Sequence, residues 1–467
     1  MTTAVPAAGR GTGEPGSVPH VAAVSLARKC GERVGGIAPF RSHESFPSRG
    51  SFRSYGSFRR RSSGAFAGAP EPTTVRRPLE ECGHLAVQLL LPVSPTVRRC
   101  ARPCSGPNRR APDDLTAAAA VRRSPPLRKD PAMDPALEAL AEQVARLVPR
   151  ADLGWPEPWL EPAADRTGWA ARVAELRAVH NRRVLDGADA LAKAAPPVAD
   201  PADGAEAAAA DVREVTIEVA GGTISAQLHL PRGNGPFPAV VHFHGGGFWT
   251  GDGAVLRRLD GALCARLSAR LTAVVVNVDY RLAPEHKFPQ PVEDGYAAVR
   301  WLAGHAAEFG VDPGRIAVSG VSAGGTIAAA VCLLARDRAA PSIRFQALLA
   351  PALDLSVHLQ SEPGGFRDEF RRCIDLYVAL WQDRRDPLVS PVHAEDLSGL
   401  PDAFIGTGSH DPLRDPAELY GLRLARAGVA ATVRRYPATH TVALPETQAA
   451  RTADLFAALD AALRTTG

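Results

Sequence analysis

Arg315-Ile316-Ala317-Val318-Ser319-Gly320-Val321-Ser322-Ala323-Gly324-Gly325-Thr326-Ile327-Ala328-Ala329-Ala330-Val331 reads as a strand, a sharp turn and a helix. The turn has the form G-x-S-x-G. An apolar strand-like run before it and an apolar helix-like run after it make it a nucleophile elbow rather than a chance pattern. Gly320 and Gly324 let the backbone reverse without Cβ clashes. The reversal lifts the Ser322 hydroxyl above the carboxyl end of a parallel sheet. Upstream by 76 residues stands His244-Gly245-Gly246-Gly247-Phe248-Trp249, following another buried-strand pattern. Consecutive glycines at 245, 246 and 247 let backbone N–H groups converge on a developing oxyanion, and Ala323 adds the N–H beside the nucleophile. A phosphate-cradling loop is the rival reading of the glycines, but no Lys-Ser/Thr follows them. Together the two parts predict acyl-transfer hydrolysis.

That chemistry needs a base for the serine proton and an acid to orient the base, in the chain order Ser, acid, His. Asp411 follows the strand-like Ala403–Thr407, in Gly408-Ser409-His410-Asp411-Pro412-Leu413. A helix cap ahead of Pro412 is its bland alternative. Asp415 and Glu418 are competing acids farther from the strand end. His440 follows the strand-like Ala431–Tyr436 and is the sole histidine after His410. His410 precedes the acid and reads as a neighbouring loop residue.

Around these residues the pattern alternates. Val212–Val219 and Thr223–Leu230 read as a hairpin about Ala220-Gly221-Gly222. Ala239–Phe243, Ala273–Val278, Arg315–Ser319, Phe345–Ala350, Ala403–Thr407 and Ala431–Tyr436 read as strands. Leu256–Leu271, Val292–Phe309, Gly325–Arg336, Pro416–Ala427 and Glu446–Arg464 read as helices between them. Such alternation predicts an α/β fold, a mostly parallel central sheet covered by helices on both faces, with its site at the strand carboxyl ends. Ahead of the sheet, Met133 to about Ala195 has helical spacing broken at Trp155-Pro156-Glu157-Pro158-Trp159, and a Pro/Ala linker follows over Ala195–Asp203.

His244–Trp249, Asp279-Tyr280-Arg281-Leu282-Ala283-Pro284-Glu285-His286, Gly320–Gly325 and Asp411-Pro412-Leu413-Arg414-Asp415, in that order, resemble the hormone-sensitive-lipase-like family of α/β-hydrolase-fold esterases. The match runs from about Val212 to the end. It implies an α/β-hydrolase fold with Ser322, Asp411 and His440 as the triad and Gly245, Gly246, Gly247 and Ala323 at the oxyanion hole. It also implies a helical cap built from Met133–Ala195 and about Ser356–Asp386. Three departures stand out. Val321 replaces the Asp usual in G-D-S-A-G-G, Asp415-Pro416-Ala417 replaces D-E-G, and His440-Thr441-Val442 replaces H-G-F.

The expected activity is a serine carboxylesterase acting on short- to medium-chain esters, with an amidase or lactonase on the same scaffold as the alternative. A non-catalytic ligand-binding relative is a further alternative, set against a triad that is complete. A dehalogenase or epoxide hydrolase would need an Asp at position 322. No cofactor, metal, nucleic-acid partner or stable membrane association is expected. The partner is a small ester, and a homodimer is left open.

Charge divides the chain. Residues 1–132 carry 21 Lys+Arg against 9 Asp+Glu, whereas residues 133–467 carry 33 against 41. The overall +4 therefore says nothing about nucleic acid. The first segment includes the Arg/Ser-rich Ser48–Ser63 and lacks a sustained apolar period, so it reads as disordered. With 50 Arg, 4 Lys and a second Met only at Met133, an upstream mis-start is the favoured reading, and a basic tail the other. The expected organisation is residues 1–132 disordered, 133–200 cap and 205–467 catalytic. Cys264, Cys332 and Cys373 are expected as free buried thiols of a cytoplasmic protein.

Overall fold

The computed structural model describes residues 132–148, 153–157, 166–194, 211–356 and 366–464. The chain divides into two units, residues 1–75 and 76–467, and every described residue lies in the second. The expected disordered segment, save its last residue, and the Pro/Ala linker lie outside the described residues.

Asp211–Val219 (β1) and Gly222–Leu230 (β2) make the hairpin, with Val219 opposite Gly222. Gly221 supplies the left-handed φ of 79° that the two-residue turn requires. The other strands are Phe237–Phe243 (β3), Val274–Asp279 (β4), Val311–Val321 (β5), Phe345–Leu349 (β6), Asp402–His410 (β7) and Ala431–Thr439 (β8). Eight strands run in the order β1-β2-β4-β3-β5-β6-β7-β8. The β1–β2 and β2–β4 pairings are antiparallel, and every pairing from β4 to β8 is parallel. The helices are Pro135–Leu147 (α1), Arg166–Ala194 (α2), Gly261–Leu271 (α3), Gln290–Gly304 (α4), Ala323–Asp337 (α5), Phe366–Tyr377 (α6), Arg414–Arg426 (α7) and Pro445–Leu463 (α8).

The central strands are apolar at nearly every position because helices bury both faces. On one face Val241, Val276 and Val318 share a core with Val299 of α4, Ile327 of α5 and Leu424 of α7. On the other, Val240, Val275 and Ala317 pack with Leu263 and Leu267 of α3 and Leu455 and Leu459 of α8. Cys264, Cys332 and Cys373 are free and buried.

Boundaries depart from the sequence reading where polar side chains intervene. The first part of the expected Leu256–Leu271 helix, Leu256–Asp260, winds as a π-helix. There Asn277 Nδ2 donates to Leu256 O at 3.4 Å, and a Cβ on Gly261 would lie 3.0 Å from Gln227 Oε1. A side chain reaching into the helical ladder is an ordinary cause of such widening. The expected Val292–Phe309 helix stops at Gly304, where His305 Nδ1 bonds Trp301 O at 2.8 Å. Strand β8 continues through Pro437 to Thr439, which an edge strand tolerates because one side of its backbone is unpaired.

His229 of β2 is 2% exposed, and among the described residues neither ring nitrogen has a hydrogen-bond partner. Burial, with His242 nearby, lowers its pKa from 6.5 to about 4. The unfolded chain therefore takes up this proton below about pH 6.5, while the native state refuses it until about pH 4. Stability from this group is complete above pH 6.5 and is lost as pH falls, by about 3 kcal/mol at the acid end. His229→Leu should flatten that part of the acid limb. Urea unfolding at pH 7, 5.5 and 4 checks it, and a wild-type-minus-variant difference that does not change with pH would contradict it.

Candidate active site

Ser322 holds φ 53° and ψ −116° between β5 and α5. A non-glycine residue there costs about 1–3 kcal/mol of strain, so the surroundings must impose it. Its N–H donates to Leu349 O at 2.9 Å. Its carbonyl accepts from the N–H groups of Gly325, Thr326 and Ala352 at 3.0, 3.2 and 3.2 Å. The flanking glycines are obligatory for space. A Cβ on Gly320 would sit 2.2 Å from Gly324 O, and one on Gly324 would sit 2.0 Å from Phe243 O. The elbow is thus pressed against the end of β3, where the H-G-G-G stretch begins.

Ser322 Oγ lies 3.0 Å from His440 Nε2, and His440 Nδ1 lies 2.8 Å from Asp411 Oδ2. The second carboxylate oxygen, Oδ1, accepts the Leu413 N–H at 2.8 Å. Ser322, Asp411 and His440 are all buried. Asp411 and His440 each stand one residue past a strand, β7 and β8, so the parallel sheet delivers them to the same edge as the elbow. Arg451 of α8 is buried in the same neighbourhood. Burial lowers its pKa to about 10, and Tyr436 and Asp411 oppose that fall.

The competing acids point elsewhere. Asp415 pairs with the adjacent Arg414 at 2.7 Å, and its side chain is 69% exposed. Glu418 accepts from Arg435 Nε at 2.8 Å and from Thr407 Oγ1 at 2.9 Å.

Gly245 lies beside the serine: a Cβ on it would be 3.7 Å from Ser322 Cβ. Gly246, Gly247 and Phe248 all have left-handed φ, at 116°, 60° and 68°. Gly246 O gathers the Trp249 and Thr250 N–H groups at 3.2 and 3.0 Å and Thr250 Oγ1 at 2.9 Å. Behind the loop, Tyr280 donates to His244 O at 2.8 Å and stacks on the His244 ring at 4.2 Å. Ala323 is the first residue of α5, where the helix itself offers its N–H no acceptor. Gly245 therefore lies beside Ser322 in space, and Ala323 follows it in the chain.

Two helical segments border the site. Phe366 of α6 has its ring 4.7 Å from that of His440, and Tyr377 of α6 stacks on Phe248 at 3.9 Å. Leu137, Leu140 and Val144 of α1 pack with Val442, two residues past His440. The sequence reading placed cap segments here but singled out neither Phe366 nor Tyr377, because an aromatic on an amphipathic helix looks like any core residue. Tyr280 stood inside a quoted motif without a role assigned to it. Among the described residues no group of three or more His, Cys, Asp or Glu side chains is placed to hold a metal ion.

A family model described as alpha/beta hydrolase fold matches residues 240–443. The chain is similar to the carboxylic ester hydrolase LipN of Mycobacterium tuberculosis, 43% identical over 240 residues. That match covers 48% of this chain and 62% of the relative, so the chain spans somewhat less than two thirds of that protein's length. Esterase LipI of the same organism is 40% identical over 231 residues, covering 47% of this chain and 70% of the relative. Among solved structures, an esterase of Pyrobaculum calidifontis matches with 32% identity and a TM-score of 0.54, covering 71% of this chain and 100% of that one. A bacterial heroin esterase matches with 30% identity and a TM-score of 0.56, covering 72% and 100%. With the elbow, the glycine loop and the parallel sheet all in place, the chain belongs to the hormone-sensitive-lipase-like family of α/β-hydrolase-fold esterases.

Proposed function

We propose that the protein is a serine carboxylesterase that hydrolyses short- to medium-chain esters through Ser322, His440 and Asp411. One observation carries the reading: a continuous Ser322–His440–Asp411 relay, at 3.0 and 2.8 Å, begins on a strained elbow. Ser322 attacks the ester carbonyl carbon while His440 Nε2 takes its proton. Asp411 holds the Nδ1–H tautomer and stabilises the imidazolium that forms. The carbonyl oxygen, now negative, is received by backbone N–H groups of Gly245, Gly246, Gly247 and Ala323, each donor contributing about 3–4 kcal/mol in comparable sites. His440 then gives the proton to the departing alkoxide oxygen. A water, deprotonated by the same nitrogen, attacks the acyl-serine, and Ser322 leaves with the proton restored.

The preference for modest acyl groups rests on the aromatic side chains beside the base. Phe366, Phe370 and Tyr377 are buried on α6, with Phe366 against His440. In this reading residues 133–200, together with α6, form the cap, and residues 205–467 the catalytic domain. Among the described residues three free thiols suit a reducing, cytoplasmic setting, and no helix there is long and apolar enough to cross a membrane.

The test is a p-nitrophenyl ester series from acetate to palmitate, run beside matched anilides and lactones, with fluorophosphonate labelling of the serine. Acetate to octanoate should turn over best, and labelling should be complete. Hydrolysis of the anilides or lactones above the esters would replace the reading with an amidase or a lactonase. A protein that neither labels nor turns over any of them is a binding relative.

A further inference from the structure

We infer that Arg177, on helix α2, is a positioning residue of the oxyanion loop, so that α2 is a fixed part of the catalytic apparatus rather than a lid that lifts away. The inference rests on the esterase reading of the site and deepens it.

Helix α2 precedes the stretch that the family model matches, and it buries Val173, Arg177, Val184, Gly187 and Ala190. Arg177 is the charged one among them, at 9% exposed. Its Nε donates to Trp249 O at 2.7 Å, and one terminal nitrogen donates to Ala283 O at 2.8 Å. Glu285 accepts from both terminal nitrogens, at 2.9 and 2.6 Å. A planar guanidinium can serve all these acceptors at once, whereas an ammonium cannot. The two carbonyls belong to the segments that meet at the loop, since the Ala283 N–H itself donates to Phe248 O at 2.9 Å. Arg177 therefore ties Gly247-Phe248-Trp249 to Ala283-Pro284-Glu285 from the cap side.

The neighbouring turn of α2 adds to the grip on the same loop. Asn181 accepts the Gly251 N–H at 3.0 Å and donates to Asp252 at 2.5 Å. The His180 ring meets Trp249 edge-on at 4.5 Å. Positions 177, 180 and 181 share one helical face, and together they hold Trp249–Asp252. That fixes the oxyanion glycines in turn, because Trp249 and Thr250 close their turn on Gly246 O, and a Cβ on Gly251 would sit 2.5 Å from Gly245 O. The N–H groups are useful only if they stay aimed at the oxyanion, and a displacement of about 1 Å in such a site can cost about a hundredfold in rate. A guanidinium with four hydrogen bonds, the one charged side chain among the helix's five buried residues, is an arrangement for holding the loop.

The experiment compares Arg177→Ala and Arg177→Lys with the wild type, and uses Arg182→Ala as the control. Arg182 pairs along α2, with Asp186, and its side chain is 78% exposed. For each protein, kcat and KM on p-nitrophenyl butyrate are measured, normalised by fluorophosphonate titration and thermal melting to the folded, reactive fraction. The Ki of a trifluoromethyl ketone, whose serine adduct carries an oxyanion, is measured in parallel. Both Arg177 variants should lose about 10–100-fold in kcat with KM held within about twofold, and Ki should rise by the same factor, as the loss of aim predicts. Arg182→Ala should change none of these. Unchanged kcat and Ki in a folded Arg177 variant, a rise in KM alone, or failure of both variants to fold would each overturn the assignment. A wild type without esterase activity would instead sink the proposed function.

Discussion

Ser322→Ala should lower kcat on p-nitrophenyl butyrate by about 10⁵–10⁶-fold and abolish fluorophosphonate labelling, while the melting temperature stays near that of the wild type. The fold should survive because alanine keeps the elbow backbone and its hydrogen bonds, all of which come from main-chain atoms of residue 322. The prediction has discriminating power because two other Ser, His and Asp groupings occur among the described residues. Ser319, His242 and Asp260 are linked in the same residue order but with the ring nitrogens exchanged, Oγ to Nδ1 at 3.4 Å and Nε2 to Oδ1 at 3.3 Å. They lie inside the core, with Ser319 and His242 at 0% exposed. They serve as part of a polar row across β2, β4, β3 and β5, in which Asn277 also bonds Gln227. Ser356, His393 and Asp354 are nearer the surface, but serine and carboxylate both meet the same ring nitrogen, at 3.0 and 3.1 Å. A base whose proton acceptor is also its orienting partner's contact cannot relay a proton. Ser356→Ala should therefore leave turnover intact. Residual labelling in Ser322→Ala that disappears on changing Ser356 would move the nucleophile and end the present reading.

Much of this architecture was legible because buried parallel strands and reversing glycines leave one-dimensional traces. The apolar runs at β3 to β6 mark strands buried on both faces, and the G-x-S-x-G turn marks a sharp reversal that carries a serine at the carboxyl end of β5. The triad's chain order then left few acids and one histidine to choose from. What stayed hidden depends on pairings between residues far apart in sequence. Arg177 meets Glu285 across 108 positions, and nothing about a charged residue on a polar helix announces that it will be buried. The π-helical turn at Leu256–Asp260 is likewise written by Asn277 and Gln227, on strands that pair with each other rather than in the helix's own sequence. Phe366 reaches His440 from a helix that looks merely amphipathic. Substitution of Val321 for the family's Asp also has a physical setting now. Val321 is 3% exposed and packs in the apolar layer with Val240 and Leu349, so a polar group is replaced by core contacts directly beside the nucleophile.

Asp411→Asn should lower kcat by about 10⁴-fold with a small change in KM, whereas Asp415→Asn should alter kcat by less than about twofold. The difference follows from what each carboxylate touches. Asp411 presents one oxygen to His440 Nδ1 and the other to the Leu413 N–H, both at 2.8 Å. An amide has only one acceptor oxygen, so either orientation of the introduced side chain sets its NH₂ against another donor. If the NH₂ faces His440, the ring is driven to the tautomer that places its proton on Nε2, where it can no longer accept from Ser322. If the NH₂ faces the Leu413 N–H, the loop after β7 loses its anchor. In both cases the developing imidazolium also loses its counter-charge in a buried setting, and buried Arg451 loses a neighbour that supports its own charge. Asp415, largely exposed and paired with its sequence neighbour Arg414, has none of these duties. Glu418→Gln weakens the bond to Arg435 and is expected to appear in the melting temperature rather than in kcat. Steady-state kinetics of the three variants, each paired with a thermal melt, decide the assignment: a larger kcat loss at Asp415 or Glu418 than at Asp411 would transfer the acid's role away from the residue that the His440 contact selects.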